Sequence, residues 1–171
     1  MKVNDLIKKR GSTRSFNQEV ISDEDLHLIL EAGMLGPSAC NMRPYHFYVI
    51  RNKDILNELG DFHKYTNMIK QANVVIVVAM ITNLNNRLAD GYQIQDASVA
   101  TQNILLQATD LKIGSCWCGV YPRIELVNKL KDILNIKEDY ITPINLIALG
   151  YSDNIQESRG FYDKDKVTFI Q

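Results

Sequence analysis

The sequence predicts an α+β or mixed α/β sandwich built around one sheet. Helical and strand-like patterns alternate along the chain, in the order α, β, α, β, α, β, α, β, and end in a less regular tail. Residues 74–80 form an unbroken apolar run of strand length, which is typical of a strand covered on both faces. The pattern G-x-G-x-x-G follows none of the predicted strands, which disfavours a Rossmann dinucleotide fold.

The first half of the chain predicts helices on either side of a strand. A short helical stretch precedes Arg10, and Ser22-Asp-Glu-Asp25 is a capping box followed by apolar residues at helical spacing. That second helix is expected to end near Gly36-Pro37. Residues 45–50 alternate and are rich in aromatic and β-branched side chains, which indicates a strand. The remaining elements are expected as helices at 54–59, 64–71, 93–111 and 123–134, and strands at 74–80, 113–118, 144–149 and 166–170.

Length and composition predict one domain that covers residues 1–171. The chain has 46% hydrophobic residues, enough for one sizeable core, and is too short for two typical domains. Its 19 basic and 20 acidic residues give a net charge of -1, which provides no electrostatic argument for nucleic acid or an anionic membrane. The expected partner is therefore a small molecule or another protein.

Several features predict a cytoplasmic protein. The N-terminal residues lack the apolar region of a secretory signal, and the apolar run that begins at Val74 is far shorter than a membrane span. Three cysteines, Cys40, Cys116 and Cys118, cannot make a closed set of disulfides, so we expect free thiols.

The sequence offers little protein-based catalytic chemistry. The histidines His27, His46 and His63 lack the spacing of a zinc site, so no metal is expected. Cys116 and Cys118 lie two residues apart in a predicted strand, where they are expected to be buried, inert thiols on one face. Because no catalytic residue is indicated, an enzyme of this composition would take its chemistry from an organic cofactor.

Two short segments are candidates for holding such a cofactor. Arg10-Gly-Ser-Thr-Arg14 supplies two guanidinium groups and a hydroxyl, which can bind a phosphate and a planar heterocyclic edge. Residues 37–44, Pro-Ser-Ala-Cys-Asn-Met-Arg-Pro, offer small side chains and backbone donors suited to a flat ring. Taken singly, the first segment also fits a solvated basic surface and the second a plain connection between a helix and a strand.

Five ordered motifs give the chain a family resemblance. They are Arg10-x-Ser12-x-Arg14-x-Phe16; Gly36-Pro37-Ser38-x-x-Asn41-x-x-Pro44-x-x-Phe47-x-Val49; Gln95-Asp96-x-x-x-Ala100-x-Gln102-Asn103-x-Leu105-Leu106-x-Ala108; Leu111-x-Ile113-Gly114-Ser115-x-Trp117-x-Gly119; and Ile147-Ala148-Leu149-Gly150-Tyr151. In order and spacing they resemble the FMN-dependent nitroreductase family, over essentially the whole chain.

The resemblance implies a three-layer sandwich with a mostly antiparallel central sheet, in an intertwined homodimer with FMN at the subunit interface. The residues that it implies for FMN binding are Arg10, Gly11, Ser12 and Arg14 at the phosphate and pyrimidine edge; Pro37, Ser38, Ala39 and Asn41 from the other subunit; Trp117, Cys118 and Gly119 near the ring; and Arg159 on the phosphate. Arg14 would stabilise the negative charge that the flavin gains on reduction. The tail after Ser152 could add a strand to the partner's sheet.

The implied activity is transfer of hydride from NADH or NADPH through FMN to nitroaromatic, quinone or related substrates, by a ping-pong mechanism. Arg43 and Tyr45 stand where the family commonly has glutamine and tryptophan, so both are candidate substrate-binding residues. The short stretch between Met80 and Gln93 predicts an open or partner-built pocket. Two alternatives stay open: a dedicated reductase of one metabolite, with Arg43 as a carboxylate anchor, and a flavin-binding protein without turnover.

Overall fold

The computed structural model describes residues 2–83 and 91–171. Residues 84–90, and with them the expectation for the stretch between Met80 and Gln93, lie outside the described residues. The helices and strands are α1 Val3–Lys9, α2 Asp23–Met34, β1 Tyr45–Ile50, α3 Lys53–Gly60, β2 Val74–Ile81, α4 Tyr92–Asp110, β3 Gly114–Gly119, α5 Ile124–Ile133 and β4 Ile141–Gly150.

The strands form one sheet in the order β1-β2-β4-β3, and each neighbouring pair is antiparallel. The register between β2 and β4 shifts once, because Val78 faces Asn145 while Ala79 faces Pro143. Ile144, the extra residue of this bulge, has a carbonyl that accepts hydrogen bonds from the amides of Val120 and Tyr121. The bulge thereby ties β4 to the segment that follows β3.

Two helical layers cover the sheet, as the side-chain alternation of β2 shows. Val74, Ile76 and Val78 pack in a core cluster with residues of α2 and α4. Val75 and Val77 belong to a second cluster with residues of α3 and α5. Both faces of β2 are therefore buried, which confirms the α+β sandwich with a central antiparallel sheet and explains the unbroken apolar run.

A local signal places the start of the second helix as expected. The Ser22 hydroxyl accepts a hydrogen bond from the Asp25 amide at 3.0 Å, which satisfies one of the free amides of the first turn of α2. The Asp25 carboxylate accepts instead from the Tyr151 hydroxyl at 3.4 Å, so it links α2 to the segment after β4. Ser22 is therefore confirmed as the capping residue. The side chain of Asp25 instead contributes to a tertiary contact.

The predictions for residues 64–71 and 166–170 differ from the structure. Only Asn67–Gln71 is helical, as a 3-10 turn, because the Thr66 hydroxyl accepts from the His63 amide and donates to its carbonyl, which holds residues 63–66 in a local turn. The tail contains a 3-10 turn at Lys164–Lys166, and within the described residues no strand pairs with residues 166–170. Strand β4 begins at Ile141, three positions before its predicted start.

Across residues 2–83 and 91–171, none of the helices has the length and apolar character needed to cross a membrane.

The tail exposes apolar residues: Phe169 and Ile170 are 81% and 96% exposed in the single chain. These apolar side chains are therefore available for contact with another surface.

Replacing Ile147 with alanine should test the central position of β4. The Ile147 side chain is fully buried, so Ile147→Ala should lower the free energy of unfolding by about 2–5 kcal/mol through lost burial and a residual cavity. Urea unfolding followed by circular dichroism, at one protein concentration, measures this. The matched variant Ile124→Ala removes the same atoms from an exposed site and should change the value by about 0.5 kcal/mol or less. Equal effects of the two variants would contradict the assigned core.

Candidate functional site

The segment from Arg10 to Arg14 lies extended beside the start of β3. The Thr13 amide donates to the Ser115 carbonyl at 2.8 Å, and Gly11 and Thr13 are buried. Since successive side chains of an extended segment point to opposite sides, Arg10, Ser12 and Arg14 lie on the more exposed side. The residues of the Arg-x-Ser-x-Arg spacing thus lie on the outward side of an extended segment. The inward residues, Gly11 and Thr13, anchor this segment to the fold.

A first cavity, of about 200 Å³, lies over this segment. Its walls come from both ends of the chain: Arg10, Gly11, Ser12 and Arg14, together with Gln156, Glu157 and Arg159. The Ser158 amide donates to the Lys8 carbonyl at 3.0 Å, which fixes the tail against the end of α1. The structure therefore places Arg159 on the same cavity as Arg10 and Arg14.

Gly11 allows the tail to lie this close. A Cβ atom at Gly11 would overlap the carbonyl oxygen of Gln156 and crowd that of Glu157. Only a residue without a side chain leaves room for the tail backbone there. Gln156 and Glu157 were missed at the sequence level, because the tail carries no periodic pattern that predicts where it packs.

A second cavity, of about 330 Å³, shares the lining residue Arg14 with the first. It is lined by Arg14, His63, Tyr65, Cys116, Trp117, Cys118 and Gly119. Of the expected ring-contacting residues, Trp117, Cys118 and Gly119 are thus brought beside Arg14. His63 and Tyr65 were missed, because they lie in the turn after α3, where residue type alone gives no signal.

His63 adds a neutral group to this second cavity. The Arg123 guanidinium donates from Nη1 to His63 Nε2 at 2.8 Å, which requires Nε2 to be unprotonated. Burial, followed by the charges of Arg123 and Lys64, lowers the pKa of His63 below its usual value. The second cavity therefore has a neutral imidazole in its lining at neutral pH.

The loop of residues 37–44 is held in a constrained shape away from these cavities. The Asp96 carboxylate, 7% exposed, accepts hydrogen bonds from the Ala39 amide at 3.1 and 3.2 Å. The Ser38 hydroxyl accepts from the Arg43 amide at 3.0 Å. Cys40, Asn41 and Arg43 adopt left-handed φ angles of 51°, 55° and 49°, which cost free energy and persist where surrounding contacts fix them. Such a loop presents its backbone in one defined conformation.

The two candidate substrate residues line a third cavity, of about 290 Å³, with Met34, His46 and Phe47. Tyr45 donates its hydroxyl to the Met34 carbonyl at 3.1 Å, and Arg43 donates from Nε to the Asn41 side-chain oxygen at 3.2 Å. None of the residues from Pro37 to Tyr45 lines either of the cavities beside Arg14. The single chain therefore brings together the residues around Arg10, Trp117 and Arg159, and leaves the loop with Arg43 and Tyr45 apart.

The two cavities, which share Arg14, suit a ligand with an anionic end and a planar end. Three guanidinium groups and a hydroxyl are the groups that bind a phosphate. The neighbouring space offers aromatic side chains and the backbone of β3, which suit a flat ring. Among the described residues, no group of three or more His, Cys, Asp and Glu side chains could hold a metal ion.

Comparison with known proteins gives one consistent result. The family model described as "Nitroreductase family" matches residues 7–67 and 63–151. A relative from Methanothermobacter thermautotrophicus, named "Putative NADH dehydrogenase/NAD(P)H nitroreductase", is 37% identical over 98% of this chain and 86% of its own length. A relative of the same name from Archaeoglobus fulgidus is 39% identical over 94% of this chain and 89% of its own length.

Solved structures agree with these relatives. An FMN-dependent nitroreductase from Clostridium difficile R20291 is similar with a TM-score of 0.86 and 28% identity, covering 97% of this chain and 98% of the other. A "putative nitroreductase in complex with fmn" from Desulfovibrio desulfuricans has a TM-score of 0.85 and 28% identity, covering 100% of this chain and 98% of the other.

Replacing Gly11 with alanine should release the tail from the first cavity. The added methyl group has no room beside the Gln156 carbonyl, so the Ser158 amide should lose its bond to Lys8 and exchange faster with solvent. Hydrogen exchange measured by mass spectrometry on the peptide around Ser158 checks this. Gly119→Ala is the matched control, because a Cβ there meets no atom within 4 Å, and it should leave that peptide unchanged. Unchanged exchange in Gly11→Ala would contradict the packing described here.

Proposed function

This chain belongs to the nitroreductase family, and from that premise we propose that it is an FMN-dependent oxidoreductase that uses NADH or NADPH as electron donor. Support for FMN comes from similar structures, one described as FMN-dependent and one as a complex with FMN. Support for the electron donor comes from the names of the relatives.

One observation supports the proposal most directly: Arg14 lines both the cavity with Arg10 and Arg159 and the cavity with Trp117. A ligand that spans both would place its phosphate among three guanidinium groups and its ring against β3. FMN has this division into a phosphate and a planar ring. The residues present therefore fit FMN in chemistry and arrangement.

The cavity residues that the sequence had indicated would have distinct roles in this proposal. Arg10, Ser12 and Arg159 bind the phosphate through charge-assisted hydrogen bonds. Gly11 lets the tail approach, so that Arg159 reaches the same phosphate. Arg14, which lines both cavities, would place a positive charge beside a bound ring and so favour the ring's gain of negative charge. Trp117, Cys118 and Gly119 of β3 would form the wall that holds the ring.

Bound FMN would supply the hydride-transfer chemistry between NADH or NADPH and an electron-poor acceptor, such as a nitroaromatic or a quinone. The protein's task is then binding and orientation, which agrees with the absence of an indicated catalytic side chain in the sequence. Donor and acceptor would use the same site in turn, which corresponds to ping-pong kinetics.

A homodimer would complete the site. The constrained loop with Pro37, Ser38, Ala39 and Asn41 lies away from the cavities of its own chain, so we propose that it serves the site of a second subunit. The tail supports this proposal, because its apolar residues Phe161, Phe169 and Ile170 are more than 80% exposed in the single chain. Arg43 and Tyr45 would then lie near the bound acceptor and influence its choice.

Removal of Arg10 should weaken the binding of FMN more than that of riboflavin, which lacks the phosphate. Arg10→Ala should raise the dissociation constant for FMN by about tenfold or more and leave that for riboflavin little changed. Quenching of flavin fluorescence on titration measures both constants. Lys9→Ala removes the same charge next to the cavity without removing a lining group and should leave FMN binding nearly unchanged. An equal loss for FMN and riboflavin in Arg10→Ala would contradict the phosphate role.

Addition of NADH or NADPH under anaerobic conditions should bleach the visible absorbance of the bound flavin. Steady-state rates with a quinone acceptor should then give parallel lines in double-reciprocal plots. Stopped-flow spectroscopy measures the bleaching and ranks the two donors. Flavin that stays oxidised would favour a flavin-binding protein without turnover, and intersecting lines would contradict a single shared site.

Removal of residues 153–171 should lower both dimer stability and flavin retention. The tail supplies Arg159 to the first cavity and exposes apolar side chains that a partner could bury. Sedimentation equilibrium and the ratio of flavin to protein after dialysis measure the two effects. Arg159→Ala is the matched variant, which should lose flavin affinity and keep the oligomeric state. A truncated protein that stays dimeric and flavin-loaded would contradict this role of the tail.

A further inference from the structure

Two thiols that the proposed reaction does not use lie together in the second cavity. Cys116 and Cys118 are separated by one residue in β3, and both belong to the core cluster on the α3 and α5 side of the sheet, so they share one face. Both are free thiols and both are buried, as the sequence predicts. They also line the cavity with Arg14, so a small molecule that enters this cavity could reach them, and the expectation that they are inert does not follow from burial alone. The third cysteine, Cys40, is exposed in the loop that lies away from this cavity.

We propose that Cys116 and Cys118 form a reversible dithiol site that a peroxide of small size, such as hydrogen peroxide, oxidises to a disulfide within the chain. The proposal goes beyond the oxidoreductase activity and does not require bound flavin. The modification site lies on the wall of the cavity, in the strand that carries Trp117.

The surroundings favour Cys116 as the attacking group. Interaction with the neighbouring Cys118 thiol is the main cause that lowers the pKa of Cys116, burial opposes it, and the charges of Arg14 and Arg10 lower it further. The same pairing and burial raise the pKa of Cys118. One thiol of the pair is thereby favoured as thiolate and the other as protonated thiol, which is the division that peroxide oxidation of a dithiol needs.

The chemistry balances with peroxide as the oxidant. The Cys116 thiolate attacks one peroxide oxygen, the O–O bond breaks, and the released hydroxide takes up a proton to become water, which leaves a sulfenic acid on Cys116. The Cys118 sulfur then attacks the Cys116 sulfur, the S–O bond breaks, and the Cys118 proton leaves with the second water. Two thiols lose two electrons, and one peroxide is reduced to two waters.

The position of β3 allows the bond to close. Residues two apart in a strand have Cα atoms about 6.6 Å apart, close to the upper limit of about 6.8 Å for a disulfide. Closure therefore requires β3 to shorten locally. Because β3 is at the end of the sheet order, β4 is its one partner among the described strands. On its other side, the hydrogen bond from the Thr13 amide is made at Ser115, before the two cysteines, so a bend confined to residues 116–118 can leave that bond in place. Such a strained bond should be readily reduced, so the modification should be reversible.

Trp117 provides a built-in reporter of this bond. It is the single tryptophan of the chain, it lies between the two cysteines, and its side chain is 38% exposed. Formation of a disulfide on either side of it, with the local bend of β3, should lower tryptophan fluorescence. The fluorescence should recover on addition of a thiol reductant.

The test is hydrogen peroxide treatment of the full-length Cys40→Ser protein, flavin-loaded or flavin-free, followed by intact mass and peptide mapping. We expect a loss of two hydrogen masses, a single peptide with a Cys116–Cys118 link, and a fall in Trp117 fluorescence, all reversed by reductant. Cys118→Ser in the same background should stop at a sulfenic acid, trapped by dimedone on Cys116. Cys116→Ser should react at least about tenfold more slowly, because the favoured thiolate is absent.

The wild-type protein gives a result that does not depend on how well the cysteine variants fold. There, oxidation confined to Cys40, or a link between two chains through Cys40, would overturn the proposal. Recovery of Cys116 and Cys118 as free thiols after treatment that oxidises Cys40 would overturn it as well. A Cys116–Cys118 link in the peptide map would support it.

Discussion

The hydrogen bond from the Thr13 amide to the Ser115 carbonyl is the contact on which the candidate site depends. It adds an extended segment to the outer side of β3, the strand that pairs on its other side with β4. With Thr13 and Gly11 facing inward, the three outward residues Arg10, Ser12 and Arg14 follow along the sheet edge. Gly114 belongs to the same arrangement, since a Cβ there would crowd the Thr13 side chain and the Gly150 carbonyl. The backbone hydrogen bond between Thr13 and Ser115 thus holds the charged segment of residues 10–14 in a fixed position.

The conformation of the loop of residues 37–44 is a second constraint on the site. Buried Asp96 of α4 holds the amide of Ala39, and three residues of that loop take left-handed backbone angles. The free energy that such angles cost is offset by contacts that fix the loop in one shape. A preformed loop that reaches neither cavity of its own chain, together with an apolar exposed tail, supports the proposal that the complete site is shared between two subunits. Such sharing would couple flavin binding to assembly.

Sequence reasoning succeeded where a local pattern had one physical outcome. The Ser22 cap and the apolar run at residues 74–80 determined an end of α2 and the position of β2, because caps and burial on both faces act over short distances. It was wrong for residues 64–71, where the Thr66 hydroxyl bonds to the His63 backbone in place of a regular helix. For residues 166–170 the single chain has a 3-10 turn at Lys164–Lys166 and no strand pairing among the described residues, and pairing of this segment with a partner's sheet stays a prediction.

By itself, the sequence determined the α+β class, the alternation of its elements and the residues of the family motifs, including Arg10, Ser12, Arg14 and Trp117. These follow from periodicity, turn residues and motif order, which are properties of neighbouring positions. The family resemblance implied that Arg159 joins Arg10 at the phosphate, but only the tertiary structure decided how the tail brings it there, beside Gln156 and Glu157. Only the tertiary structure decided, too, that His63 and Tyr65 line the cavity of Trp117 and that Arg43 and Tyr45 stay apart from both cavities. Those placements depend on contacts between residues distant in the chain, such as the Ser158 amide with the Lys8 carbonyl, and no local pattern encodes them.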